Sequence, residues 1–165
     1  MYYTSLKTPV GTLQLVADDH SLYRIVFPTC TNNAPVAKPA PKGHPLLNST
    51  TSQLIEYFNG NRQNFNLPLS PQGTTFQLAA WGLIQQIPYG ETRTYGEIAT
   101  QLGNPNKARA VGGAANKNPL PLIIPCHRVM GTGGKLTGFA GGLETKQFLL
   151  TLEQKRAQPS AATDT

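Results

Sequence analysis

The 165 residues combine 39% hydrophobic and 13% charged side chains with 16 Gly and 14 Pro, the make-up of a turn-rich globular chain with one ordinary domain or two small ones. No apolar run approaches the roughly 18 residues of a membrane span, and residues 1–10 lack the basic-then-apolar layout of a secretory signal, so a cytoplasmic protein is expected. The net charge of +6 is uneven: six basic residues lie between positions 93 and 142 against Glu97 alone, which fits equally a nucleic-acid-binding face and a well-solvated surface.

Alternation of Tyr3 and Ser5, of Leu13, Leu15 and Ala17, and of Tyr23, Ile25 and Phe27 predicts three short antiparallel strands, punctuated by Pro9, Gly11 and Asp18-Asp19. Residues 28–45 hold five prolines and few apolar side chains and read as a surface loop. Leu47, Leu54, Ile55 and Phe58 then repeat at helical spacing over 45–58, until Asn59-Gly60 stops them. Pro68, Pro71 and Gly73 close this α/β unit, which is assigned to residues 1–72.

A second, mainly helical unit is assigned to 73–156. Phe76, Leu78, Ala79, Trp81, Leu83, Ile84 and Ile87 form an apolar helix ended by Pro88-Tyr89-Gly90. Thr94 with Glu97 three places on is a capping box for a second helix reaching Gly103. After the turn Asn104-Pro105-Asn106, a third helix over 107–116 puts Ala108, Val111 and Ala114 or Ala115 on one face. With Lys107 and Arg109 at its start, this is the layout of a helix-turn-helix, although many αα-hairpins share it. Asn118-Pro119 leads through 120–125 to Cys126-His127-Arg128-Val129, then to a Gly-rich, hairpin-like stretch over 131–142 and a last helix from 143 to about 155. The small polar residues 157–165 are expected to fray.

Cys30 and Cys126 stand 96 positions apart, neither a CxxC pair nor a disulfide framework, so each reads as a free thiol. A thiol becomes a nucleophile beside a base or a positive field, and His127 adjoins Cys126. Adjacent side chains diverge, so the imidazole is expected to reach the sulfur through a water. Taken alone, a Cys-His dipeptide is more often a buried structural cysteine beside an incidental histidine. His20, Cys30 and His44 fall one ligand short of a structural zinc site, and no metal is expected.

The run Asn118-Pro119, Ile123-Ile124-Pro125-Cys126-His127-Arg128-Val129 tips that balance. It resembles the active-site motif of the O6-alkylguanine-DNA alkyltransferase family, PCHRV preceded by Asn-Pro and a short aliphatic strand. Further landmarks follow the family's order over residues 76–153: Ile87-Pro88-Tyr89-Gly90, Thr94-Tyr95, Ala108-Arg109-Ala110-Val111-Gly112 and Gly141-Gly142-Leu143. The first 70 residues match the family's variable domain in outline, best at 5–11 and 54–60. The resemblance implies an α+β protein: a small ribonuclease H-like α/β domain with a three-stranded antiparallel sheet, then a helical, winged-helix-like domain with a helix-turn-helix. It implies direct-reversal repair, in which an alkyl group leaves O6 of a flipped-out guanine for Cys126 in a single turnover, with O4 of thymine as an open second substrate. The partner would be double-stranded DNA met through the minor groove, with no cofactor, no membrane and no obligate protein partner.

Residue by residue, the resemblance makes Cys126 the alkyl acceptor, His127 its base through water, and Glu153 the carboxylate that orients His127. Read without it, Glu153 is an unremarkable surface residue near a helix end. Tyr95 would donate a hydrogen bond to the departing guanine and press on the 3′ phosphate. Arg109 would fill the gap left by the extruded base, its plainer role being a phosphate contact, while Thr94 and Lys107 also face DNA. The small side chains of Ala110, Gly112 and Gly113 would let the helix sit deep in the groove. Asn118 would tie that helix to the active-site strand, and Pro121 and Val129 would line the guanine pocket. Phe139 and Ala140 depart from the family's usual Tyr followed by Ser or Gly, which implies weaker recognition of the oxygen. Two rival readings differ in outcome: a lesion-binding relative without chemistry would lack Cys126, and a thiol hydrolase using Cys126, His127 and Glu153 would turn over repeatedly.

Overall fold

The structure is a computed structural model that describes residues 1–29, 37–139 and 141–157. Cys30, Ala140 and the tail beyond residue 157 lie outside the described residues. Strands β1 (Tyr2–Thr8), β2 (Gly11–Ala17) and β3 (Leu22–Val26) form the antiparallel meander that the alternating pattern predicts. The β1–β2 turn places Gly11 at φ 105, in the left-handed region that glycine adopts without strain. A fourth strand, β4 (Lys38–Pro39), emerges from the proline-rich stretch and pairs parallel to β1, giving the order β3-β2-β1-β4. Pro39 is tolerated there because β4 is an edge.

Helix α1 (Pro45–Phe58) starts where Nδ1 of His44 accepts the Leu47 N–H at 3.2 Å, and it buries Leu47, Thr50, Leu54 and Tyr57. It packs on β1 and β2. Helix α2 (Thr75–Gln85) begins one residue before Phe76, because Thr74 and Gln77 form a reciprocal capping box. The predicted box of Thr94 and Glu97 opens α3 (Tyr95–Gln101), directly after the short strand β5 (Arg93–Thr94). The third helix is split: a 3₁₀ turn (Pro105–Lys107), started by the Asn104 side chain, leads into α4 (Ala108–Asn116). Helix α4 packs on α2 and α3, and Trp81 Nε1 fastens it by donating to the Ala114 carbonyl at 2.8 Å.

Two local expectations fail. Residues 120–124 form turns rather than an aliphatic strand, with Leu122 at φ 78. Prolines at 119, 121 and 125 have no ladder donors, and the Asn118 side chain takes the Leu120 N–H and the Ile124 carbonyl instead. The described residues of the Gly-rich stretch form no hairpin either. Strand β6 (Val129–Met130) pairs parallel to β5, and a 3₁₀ turn (Thr132–Gly134) follows, with Gly133 and Gly134 at positive φ. Helix α5 (Leu143–Ala157) closes the described chain.

One apolar cluster runs through both halves, from Leu13 and Leu15 in the sheet to Trp81, Val111, Cys126 and Leu149. The Ile25 N–H donates to the Pro119 carbonyl at 2.9 Å, and the Phe27 and Phe139 rings meet edge-on at 5.5 Å. The turns before Cys126 are thus braced against the N-terminal sheet. Among the described residues, no helix is long and apolar enough to cross a membrane.

Candidate active site

Cys126 opens a 3₁₀ turn (Cys126–Arg128) and is only 4% exposed. Burial pushes its thiol up to about 11, against partial relief from the Asn118 side-chain hydrogen bond and the Lys146 charge. A free thiolate is therefore disfavoured, and the thiol could act as a nucleophile only with a nearby base to take its proton.

His127 is the adjacent candidate for such a base. Its Nε2 lies 2.6 Å from Glu153 Oε2, whereas Nδ1 is buried without a hydrogen-bonding partner among the described residues. Burial holds the imidazole below its usual 6.5, and Glu153 only partly offsets this. The ring is consequently neutral at pH 7. Because a carboxylate can only accept, Nε2 carries the proton and Nδ1 presents a lone pair.

Glu153 is 1% exposed, which corrects its reading as a surface residue of the last helix. Burial alone would raise its carboxyl, but His127 and Arg128 together hold it at about 2. Arg128 donates from Nε to Oε1 at 2.7 Å and from Nη2 to Oε2 at 3.0 Å, while its Nη1 reaches the Ile87 carbonyl at 2.6 Å. Tyr57, from α1, donates to the same carboxylate. The ion is thus buried but fully hydrogen-bonded, the condition under which a buried charge is tolerable.

Asn118 follows α4 after a single residue, Lys117. Its Nδ2 donates to the Ile124 carbonyl at 2.7 Å and its Oδ1 accepts from the Leu120 N–H at 2.9 Å, so it links the end of α4 to the turns before Cys126. Pro121 and Val129 are both buried. The Val129 carbonyl accepts from Lys146 Nζ at 2.7 Å. Tyr95 shares a short hydrogen bond with Thr137 Oγ1, and Phe139 meets the His127 ring edge-on at 6.4 Å.

The expected DNA-facing residues gather elsewhere. Lys107, Arg109, Ala110 and Gly113 are exposed along α4 and its approach, Gly112 is half-buried under Tyr95, and Thr94 is occupied as the cap of α3. Lys107 also stands 5.9 Å over the Phe76 ring. A cavity of about 340 Å³ between Gln63, Pro88, Leu122 and Arg128 does not include Cys126. Among the described residues, no group of three or more His, Cys, Asp or Glu could hold a metal ion.

Three contributors were not singled out from the sequence: Tyr57, Arg128 and Lys146. Arg128 lies inside the quoted motif. Lys146 and Glu153, seven apart, share a helical face with Leu149 and Leu150, and charges on an apolar face are the signal that would have exposed both.

Fold and site together join a buried cysteine, histidine and glutamate to a helix-turn-helix. Residues 75–155 match the family model for the DNA binding domain of 6-O-methylguanine DNA methyltransferase, and residues 1–71 match that for its ribonuclease-like domain. The methylated-DNA–protein-cysteine methyltransferase of Methanosarcina acetivorans is 44% identical over 153 residues, 93% of this chain and 98% of that protein. The constitutive Bacillus subtilis protein of that name is 41% identical over 157 residues, 93% and 95% of the two chains. Among solved structures, Mycobacterium tuberculosis OGT in complex with DNA superposes with a TM-score of 0.88 at 38% identity, covering 100% of both chains. The chain belongs to the 6-O-methylguanine DNA methyltransferase family.

Proposed function

We propose that this protein reverses O6-alkylguanine damage in double-stranded DNA by moving the alkyl group to Sγ of Cys126, once per molecule. The observation that carries the reading is the polarised imidazole: His127 is held by Glu153 through Nε2, and the lone pair of Nδ1 is free beside the thiol-bearing residue. Through a water, Nδ1 takes the thiol proton as the sulfur attacks the alkyl carbon. The C–O6 bond breaks, its electron pair passes to the purine, and Tyr95 supplies the proton that lets guanine depart neutral. The proton gained by His127 balances the one Tyr95 gives up. The product is a thioether with no good leaving group, so the protein is consumed.

Recognition falls to the exposed face of α4. Arg109 enters the base stack in place of the extruded guanine, and Ala110, Gly112 and Gly113 let the helix approach the minor groove, with Thr94 and Lys107 at its margin. Pro121, Val129 and Phe139 frame the base, and Asn118 couples pocket to helix. The protein acts in the cytoplasm, where it meets DNA. Intact-mass measurement after mixing with a duplex containing O6-methylguanine tests the reading. One methyl group on Cys126 per molecule is expected; multiple turnover with unmodified protein would refute it.

A further inference from the structure

The hydrogen bond from Tyr57 to Glu153 spans 96 positions and joins α1, in the N-terminal half, to the carboxylate beneath the imidazole. Tyr57 is 0% exposed, and its ring is fixed by Phe58 at 5.4 Å, Phe65 at 5.5 Å and Tyr89 at 6.2 Å. These rings pack the phenol where its hydroxyl meets Glu153. Burial, reinforced by Glu153, raises its pKa well above the usual 10, so it stays protonated and can only be the donor in this pair.

Which oxygen it reaches matters more than that it reaches one. Oε1 receives Arg128 Nε alone, whereas Oε2 receives Tyr57, His127 Nε2 and Arg128 Nη2. Donors on a shared oxygen draw on the same negative charge. We infer that Tyr57 is a positioning residue for alkyl transfer, through which the N-terminal half sets the orientation and basicity of His127. The inference rests on the transfer reading above and deepens it. A tyrosine that merely satisfied a buried ion could have bonded either oxygen; this one competes with the base itself. The other charged or titratable groups around the imidazole are Glu153 and Lys146 from α5, Cys126 and Arg128 from its own turn, and Tyr89 after α2, which lies 5.6 Å from the Arg128 guanidinium.

Removing the phenol strengthens the hold of Glu153 on a protonated imidazole and loosens its aim. The test measures the saturating rate of methyl transfer from an O6-methylguanine duplex against pH, alongside DNA affinity, for the full chain, Tyr57→Phe and Phe65→Leu. Phe65→Leu loosens the packing around the ring but keeps the hydroxyl. Tyr57→Phe is expected to slow transfer roughly tenfold and move the acid limb to higher pH with DNA affinity unchanged, whereas Phe65→Leu keeps the wild-type limb. A wild-type rate and limb in Tyr57→Phe, or the same changes in Phe65→Leu, would overturn the inference. Should Tyr57→Phe not fold, an isotope label on tyrosine Cζ in the unaltered protein decides: the Tyr57 signal must move as His127 titrates, and a stationary signal overturns the proposal. If the unaltered protein leaves Cys126 unalkylated, the transfer reading fails instead, and the Cζ titration still reports on Tyr57.

Discussion

The turn carrying Cys126 and the outward face of α4 are neighbours in sequence, yet they follow opposite physical rules. Cys126, His127, Arg128 and Glu153 are each at most 5% exposed and are held by hydrogen bonds from α1, α5 and the turns before them. Arg109, Ala110 and Gly113 are exposed, and α4 owes its place to Val111, Ala114 and Ala115 on its other side. A proton relay needs fixed partners and little water, because its electrostatics weaken in high dielectric. A surface that meets DNA must be reachable, cationic and thin. The two regions are thus built on separate demands, and Asn118 is the side chain that ties the end of α4 to the turns before Cys126.

The sharpest way to break the comparison is Cys126→Ser. Transfer should vanish while duplex binding persists, measured by intact mass and by fluorescence anisotropy; binding lost along with transfer would merge the two regions. Next is Glu153→Gln, which leaves the buried Arg128 charge without its ion partner. It should cost about 3–5 kcal/mol in denaturant unfolding, as breaking a buried pair does.

The acid side of the stability curve probes the same buried ion. The Glu153 carboxyl is held at about 2 against an ordinary 4.5, so its contribution is complete above 4.5 and disappears as pH falls toward 2. That contribution is roughly 3 kcal/mol at neutral pH. His127 acts in the same direction: its folded value lies below 6.5, so unfolding takes up a proton beneath 6.5 and stability declines further. Thermal midpoints should fall from pH 6.5 downward, with a further fall below 4.5, and loss of that further fall alone in Glu153→Gln would tie it to this residue.

On the exposed side, Arg109→Ala should slow repair of duplex DNA roughly 100-fold, since base extrusion costs a few kcal/mol, and leave reaction with free O6-benzylguanine nearly unchanged. Equal slowing on both substrates would move Arg109 into the chemistry. The smallest effect belongs to Gly113→Ala. A Cβ there meets nothing within 4 Å, so the helix should gain about 0.8–1 kcal/mol while DNA affinity falls as the methyl group intrudes on the groove. A raised melting midpoint with unchanged affinity would remove α4 from the close approach.

Local chemistry made much of this molecule readable. Capping by Thr94 and Glu97, the stop at Asn59-Gly60 and the alternation of Leu13, Leu15 and Ala17 act within a few residues, and each appears where its spacing predicts. The Cys126-His127 pair gained meaning only from the motif around it. What stayed hidden was long-range. Tyr57 looks like any aromatic on the buried face of a helix, and only the fold brings it to a carboxylate 96 positions away. The aliphatic run before Cys126 resembles a strand by composition, but backbone donors missing at its prolines decided otherwise. Strand β4 was obscured by the same residue type, because proline density argues for a loop and an edge strand of two residues leaves no alternation to detect.

The depth at which Cys126 lies has a last consequence, for the shelf life of a reagent that works once. With the thiol pushed up to about 11, little of it is ionised at pH 7. Peroxides and small electrophiles consume thiolates, and only those they can reach. A buried, protonated thiol of this kind is therefore expected to outlast an exposed cysteine among oxidants, which fits the single use proposed for it.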